Sequence, residues 1–421
     1  MRSVFTLLLL LSLPTCVSAA DAPEFASGWL PVQKLVAKRS WDETRKVDDK
    51  IHLYLPQGVK TYRGVFVCYV FHSQDPRQLA DLWEFALVTV PAPFEYDLGY
   101  LDKRNPRAKL GHPVGNMGFL LKYLDLAAKE TKHPELAVAP LVGWLGQNGS
   151  SLCNDLWKRA PERVIAWTDS FPNWLAKFPE LTANVPFAFA WEFSPKDEKD
   201  RAAERELKLP AVTGKPTPPP DLRARANTYG FPHGIYSKYN YFAAYLDRCI
   251  AARLPDTTPP AGQPVKLKPW KLEAGWAGDF NPVGEWNPIA PAKEAKGMVD
   301  PQWFPDAYAA WMWRAYQTAK PDLKMTAPVV EYHRGGDRKD CGFGFAEPVA
   351  PGTAIALAAE GSAEYTRVEF RSGDKLLGTA EKAPWKIDGV KIERGLHALH
   401  AIGTKADGTK SSSRVAFLLV K

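Results

Sequence analysis

The sequence predicts an α/β body, a mostly parallel sheet flanked by helices, followed by an all-β sandwich. Three observations carry this. From Gly64 onward, short apolar runs alternate with amphipathic stretches, and several runs are apolar almost without interruption, as in strands covered on both faces. Beyond about residue 322 the texture changes to short alternating runs separated by Gly, Asp and Ser. The chain has 421 residues, 45% of them hydrophobic, with 15 Trp, 15 Tyr and 20 Phe, which suits more than one domain with sizeable cores.

The elements follow in order. Residues 1–20 read as a cleaved export signal: Arg2 opens it, Val4 to Leu13 is apolar, and "TCVSAA" offers small residues for cleavage. The apolar run is too short for a stable membrane anchor, and a lipid attachment through Cys16 fits less well because Pro14 and Thr15 precede it. The mature protein is therefore expected to be secreted or periplasmic. "IHLYLPQG" (51–58) predicts an antiparallel strand ahead of the parallel ones. "GVFVCYVF" (64–71) and "ALVTVPA" (86–92) are strands, with helical spacing over 76–85 between them. Residues 118–130 form a helix with Leu120, Leu121, Leu124 and Ala128 on one face, and 136–145 the next strand. A stripe of Leu152, Cys153, Leu156, Trp157 and Ala160 marks the following helix. Strands are expected at 163–169 and 185–193, then a Pro-rich loop at 208–221, a helix at 236–255, an irregular connector, and a Trp-rich helix at 303–320. These boundaries give an α/β domain at 21–321 and a β domain at 322–421. The latter contains the runs "TAIALAAEG", "TRVEFRSGD", "KLLGTA", "APWKID", "LHALHAIGT" and "RVAFLLV".

Composition excludes several functions. The net charge of +7 is modest for this length and the basic residues are dispersed, so nucleic acid is not an expected partner. Cys68, Cys153, Cys249 and Cys341 form no C-x-x-C pair. Cys68 and Cys153 sit on apolar faces and read as small buried hydrophobes. No His/Asp/Glu spacing suits a metal, and neither a metal nor a cofactor is expected.

The segment "LVGWLGQNGSSLCNDLW" is a strand, a tight Gly-rich turn and a helix, the form of a nucleophile elbow. The central position is Asn148. Asn tolerates the left-handed backbone of such a turn, and Gly146 and Ser150 provide small side chains where strand and helix meet. The Gly149 N–H, at a helix N-terminus, has the place of an oxyanion-hole donor. An Asn amide, however, has no proton that a base can remove to make a nucleophile. Ser150 and Ser151 lie further into the turn, where a serine more often caps the helix; a displaced serine nucleophile is the alternative. Asn148-Gly149 is also a deamidation-prone pair, which would place Asp at the centre.

On these residues, segment 50–320 resembles the α/β-hydrolase superfamily, esterase-like but with a degenerate elbow. The resemblance implies that "YVFHSQDP", after the third strand, holds the oxyanion loop, with His72 or Ser73 offering a backbone N–H. "APERVIAW" corresponds to the helix end and sixth strand. "VPFAFAWEFSPKDE" corresponds to the seventh strand and its following loop, where Asp197 or Glu192 would be the acid. "ANTYGFPHGIYS" corresponds to the eighth strand and the loop presenting His233 as base. Asp169, just past the sixth strand, is a third acid candidate. The tail "VEFRSGDKLLGTAEKAPWKID" and onward resembles the immunoglobulin-like modules of secreted bacterial carbohydrate-active enzymes, with Trp385 in its core and a spacer or adhesive role implied.

His112 reads as a turn residue, and His397 and His400 as ordinary sheet residues. Trp276 and Trp286, among Gly, Asn and Pro, are candidate pocket-lining aromatics on a loop. The resemblance thus implies a cleft for a small-molecule ester or a polysaccharide substrate or ligand. Three functional readings remain: a hydrolase-fold protein altered or inactivated at Asn148, an active carboxylester or polysaccharide-acetyl esterase using Ser150 or Ser151, and a non-catalytic binding protein.

Overall fold

The computed structural model describes residues 29–31, 52–69, 76–90, 117–145, 149–169, 178–193, 221–229, 238–257, 259–280, 286–318, 321–328 and 348–421. Eight strands form the main sheet: β1 (Trp29–Pro31), β2 (His52–Tyr54), β3 (Val65–Tyr69), β4 (Ala86–Val90), β5 (Leu141–Leu145), β6 (Val164–Asp169), β7 (Phe187–Phe193) and β8 (Arg223–Tyr229). Their spatial order is β1-β2-β4-β3-β5-β6-β7-β8. β1 and β2 pair antiparallel, β2 joins β4 antiparallel, and every contact from β4 to β8 is parallel. The expectation of an antiparallel strand before a parallel series holds.

Helices α1 (Arg77–Trp83), α2 (Gly118–Thr131), α3 (Gly149–Arg159) and α4 (Pro179–Asn184) connect successive parallel strands, and α5 (Lys238–Arg253) follows β8. All residues of β5 and β6 are buried, the physical reason their runs are apolar without alternation. The α3 stripe buries Leu152, Cys153, Leu156 and Ala160. The strand expected over 136–145 is shorter, because Pro134–Ala137 forms a 3-10 turn before β5.

The Trp-rich stretch expected as one helix over 303–320 is two elements. Trp303 and Phe304 belong to β11 (Pro301–Phe304), and α6 spans Ala307–Tyr316. Asp306 separates them: its carboxylate accepts the Ala309 N–H at 2.8 Å, capping α6. β9 (Trp276–Asp279) pairs antiparallel with β11 and with β10 (Ile289–Pro291) in a small second sheet.

The C-terminal strands form two antiparallel sheets around their own core. One contains β12 (Leu323–Ala327), β13 (Ala354–Gly361) and β16 (Trp385–Lys391). The other contains β14 (Tyr365–Ser372), β15 (Lys375–Ala380), β17 (Gly395–Lys405), β18 (Lys410–Ser412) and β19 (Ala416–Val420). Each of the six runs singled out in this tail falls on a strand, and Trp385 lies in the core with Leu323, Leu357, Val368 and Phe370. Alternate residues of β17 and β19 face different partners. Leu399 and Leu418 join this core, whereas Ala398 and Phe417 join the core of the body. No described helix is long and apolar enough to cross a membrane.

Candidate functional site

Parallel pairing brings the carboxyl ends of β3, β5, β6, β7 and β8 to one sheet edge. Cys68 is opposite Trp144, Leu145 opposite Asp169, Asp169 opposite Phe189, and Phe193 opposite Tyr229. Ligands of open α/β sheets bind outside this edge. In sequence, His72 and Ser73 follow β3, Asn148 follows β5, Asp197 follows β7 and His233 follows β8. These five residues lie outside the described residues. Glu192 is within β7, opposite Thr228 of β8.

The described part of the turn is the start of α3. Gly149 is its first residue and Ser150 its second, and both are buried. The first N–H groups of a helix have no partner within it and carry its positive end. Asp169, at the end of β6, supplies the compensation: Oδ2 accepts the Ser150 N–H at 3.0 Å, and the residue is wholly buried. A Cβ on Gly149 would lie 3.2 Å from Asp169 Cγ and 3.3 Å from Leu145 Cβ, so the strand ends press against the helix start. A side chain here would require these neighbours to give by a few tenths of an ångström. Asp169 is an acid candidate in the sequence, and the structure adds this contact; its signal in the sequence is an Asp ending the strand that follows α3.

Ser150 is expected to cap the helix with its side chain or to pack beneath it; the helix start is held by Asp169, and the Ser150 side chain is buried. The Ser150 hydroxyl is enclosed and has no hydrogen-bond partner among the described residues. Ser151 is half-buried on α3. Cys153, one turn along, is buried, and its thiol is pushed well above the ordinary range by burial and then by the Asp169 charge. Burial raises the Cys68 thiol likewise. Both are neutral, small apolar side chains, as expected, and neither has the thiolate character of a nucleophile.

Of the two aromatic candidates, Trp286 lies outside any helix or strand, as expected, and Trp276 is placed differently. Trp276 is on β9, half-buried against the main core, and is not on a loop. The ring of Trp286 covers the Arg314 guanidinium, with Cζ 3.8 Å from its centroid. His397 and His400 both lie on β17, as expected. Among the described residues, a groove of about 480 Å³ is lined by residues including Tyr54, Val59, Asp81, Glu84 and Arg394. It adjoins the starts of β3 and β4, at the opposite edge from the strand ends above. No group of three His, Cys, Asp or Glu suited to a metal occurs among the described residues.

No family model matches the chain, and no curated protein matches it. Among solved structures it is similar to dienelactone hydrolase from Anabaena variabilis, with 15% identity, 44% of this chain and 81% of that one covered, and a TM-score of 0.26. It is similar to acetyl xylan esterase from Aspergillus awamori, with 8% identity, 39% and 72% covered, and a TM-score of 0.25. It is also similar to fibronectin(III)-like modules of Clostridium thermocellum CbhA, with 24% identity, 24% and 94% covered, and a TM-score of 0.19.

Proposed function

We propose that the chain is an exported α/β-hydrolase-fold protein whose cleft, at the carboxyl ends of β3 and β5–β8, binds an ester or saccharide ligand without acyl transfer. The carrying observation is the start of α3, separated from β5 by three residues: its first two residues are buried and the N–H of the second is held by Asp169. This supports an elbow built to its usual constraints around Asn148. The strand order supports the same reading, because β3, β6, β7 and β8 have the ordinal places that the hydrolase resemblance assigns them.

Asn148 removes the nucleophile while leaving the Gly149 N–H and a base of the His233 kind to recognise a carbonyl or hydroxyl. Enclosure of the Ser150 hydroxyl argues against its use as a displaced nucleophile.

The test is fluorophosphonate labelling and p-nitrophenyl acetate turnover of the mature protein. The wild type is expected to show neither, and Asn148→Ser to gain labelling. Labelling of the wild type that is lost in His233→Ala overturns the reading in favour of an active esterase. Intact-mass and peptide mapping of residue 148 separates a third case, deamidation to Asp.

A further inference from the structure

Where α6 meets the β module, four side chains stack in sequence. The Arg314 Cζ lies 3.8 Å from the Trp286 ring centroid and 4.1 Å from that of Trp311, and Arg371 Cζ of β14 lies 4.5 Å from the Trp311 centroid. Two indoles at these distances stack against the Arg314 guanidinium. Its five N–H groups lie in its plane, where the rings supply no acceptor.

Arg314 is only 6% exposed, and its Nη2 is buried with no hydrogen-bond partner among the described residues. The surroundings add positive charge. Among the described residues, the carboxylate of the cluster, Glu369, is engaged by Arg371 Nε and Nη2 at 3.0 and 2.7 Å and by Arg367 at 3.2 Å. His400, wholly buried, has its ring 6.4 Å from Trp311. A buried charge without a counter-charge or acceptor is strongly unfavourable, and buried polar groups are almost always satisfied. The last-turn position on α6 gives Arg314 a favourable helix dipole, but no hydrogen bond.

We infer that Arg314, flanked by Trp286 and Trp311 and supported by Arg371, is the donor of a small-oxyanion site taking a carboxylate, sulfate or phosphate group. An oxyanion in the guanidinium plane accepts from its N–H groups and offsets the excess of guanidinium over carboxylate. Trp286 and Trp311 are half-buried, so the site borders solvent. The site is independent of the cleft at the sheet edge.

The test is thermal unfolding of the full chain in sodium chloride, acetate, sulfate and phosphate at matched ionic strength. At least one oxyanion is expected to raise the midpoint saturably, by about 2–4 °C at concentrations well above its dissociation constant. A response to acetate alone assigns a carboxylate site, and one to sulfate and phosphate a tetrahedral-anion site. Arg314→Met keeps a stem between the rings and is expected to abolish the response. If that variant does not fold, Arg371→Gln is expected to weaken the anion by roughly 3–10-fold. A rise that never saturates, or one that Arg314→Met and Arg371→Gln both retain in full, overturns the site and leaves general salt exclusion. The absence of any oxyanion response overturns it equally.

Discussion

The hydroxyl of Tyr308, on α6, accepts the Ala398 N–H of β17 at 2.7 Å. The same hydroxyl lies 3.1 Å from Ser372 Oγ and 3.3 Å from the Leu396 carbonyl, and Ser372 Oγ is 3.2 Å from His397 Nδ1. One phenol therefore ties the body to two strands of the module. Leu396, Ala398 and Phe417 of the module bury their side chains in the body's core around it. A spacer swinging on a linker has no such shared core.

Tyr308→Phe removes the acceptor and leaves the Ala398 N–H buried and unpaired, which is expected to cost about 1–3 kcal/mol. Gly373 tests the same contact from the other side. Its φ is +54°, and a Cβ there would lie 2.2 Å from Tyr308 Cδ2, so Gly373→Ala is expected to be the more damaging of the two. Urea denaturation followed by Trp fluorescence checks both. The wild type is expected to unfold with module and body in one transition. Two separated transitions, with Tyr308→Phe affecting only one, would contradict the shared core.

At the sheet edge, Asp169→Ala is expected to destabilise by about 2–3 kcal/mol, because it strands the Ser150 N–H at a helix start and removes the anion facing the dipole. Asp169→Asn keeps an acceptor and loses the charge, and is expected to cost about half as much. Gly149→Ala, whose methyl meets Asp169 Cγ at 3.2 Å, is expected to lie between them. Equal midpoints for Asp169→Ala and wild type would remove Asp169 from the support of the turn.

Much of this frame was legible in the sequence because both faces of the central strands are buried. "LVGWL" and "VIAWTD" have no alternation to confuse, and the module's strands are punctuated at every turn. The split at Asp306 was not seen, because Trp303 and Phe304 continue the aromatic spacing of α6 and disguise a strand as its first turn. The capping Asp was the available signal. Asp169 was visible as a residue but not as a support, since its contact depends on β5 and β6 lying in register. The Arg314 stack had no local signal at all: Trp286, Arg314 and Arg371 come from separate parts of the chain and meet only in the folded protein.

Thiol chemistry gives a third prediction. Cys68, Cys153 and Cys249 are buried, and burial raises all three thiols, with Asp169 adding to Cys153 and Asp306 to Cys249. In a Cys16→Ser, Cys341→Ser background, the native protein is expected to react with Ellman's reagent at least about 100-fold more slowly than in denaturant, where the three remaining thiols are counted. A native thiol reacting within seconds would show that one of these faces opens readily.

His400 makes stability depend on pH. Burial lowers its imidazole from 6.5 to about 3, partly offset by the Ala398 carbonyl, with Arg314 and Arg371 lowering it further. The unfolded chain therefore binds this proton more readily than the folded one. The contribution to stability is complete above pH 6.5 and is lost progressively as pH falls from there towards about 3. Integrated over that window it is on the order of 4 kcal/mol. Carboxylates titrate in the same range, so the informative quantity is the difference between wild type and His400→Gln. Urea midpoints at pH 7.5, 5.5 and 4.5 are expected to converge as pH falls, because only the wild type carries the extra proton uptake on unfolding. Parallel curves for the two proteins would mean that His400 is already protonated, or exposed, in the folded chain.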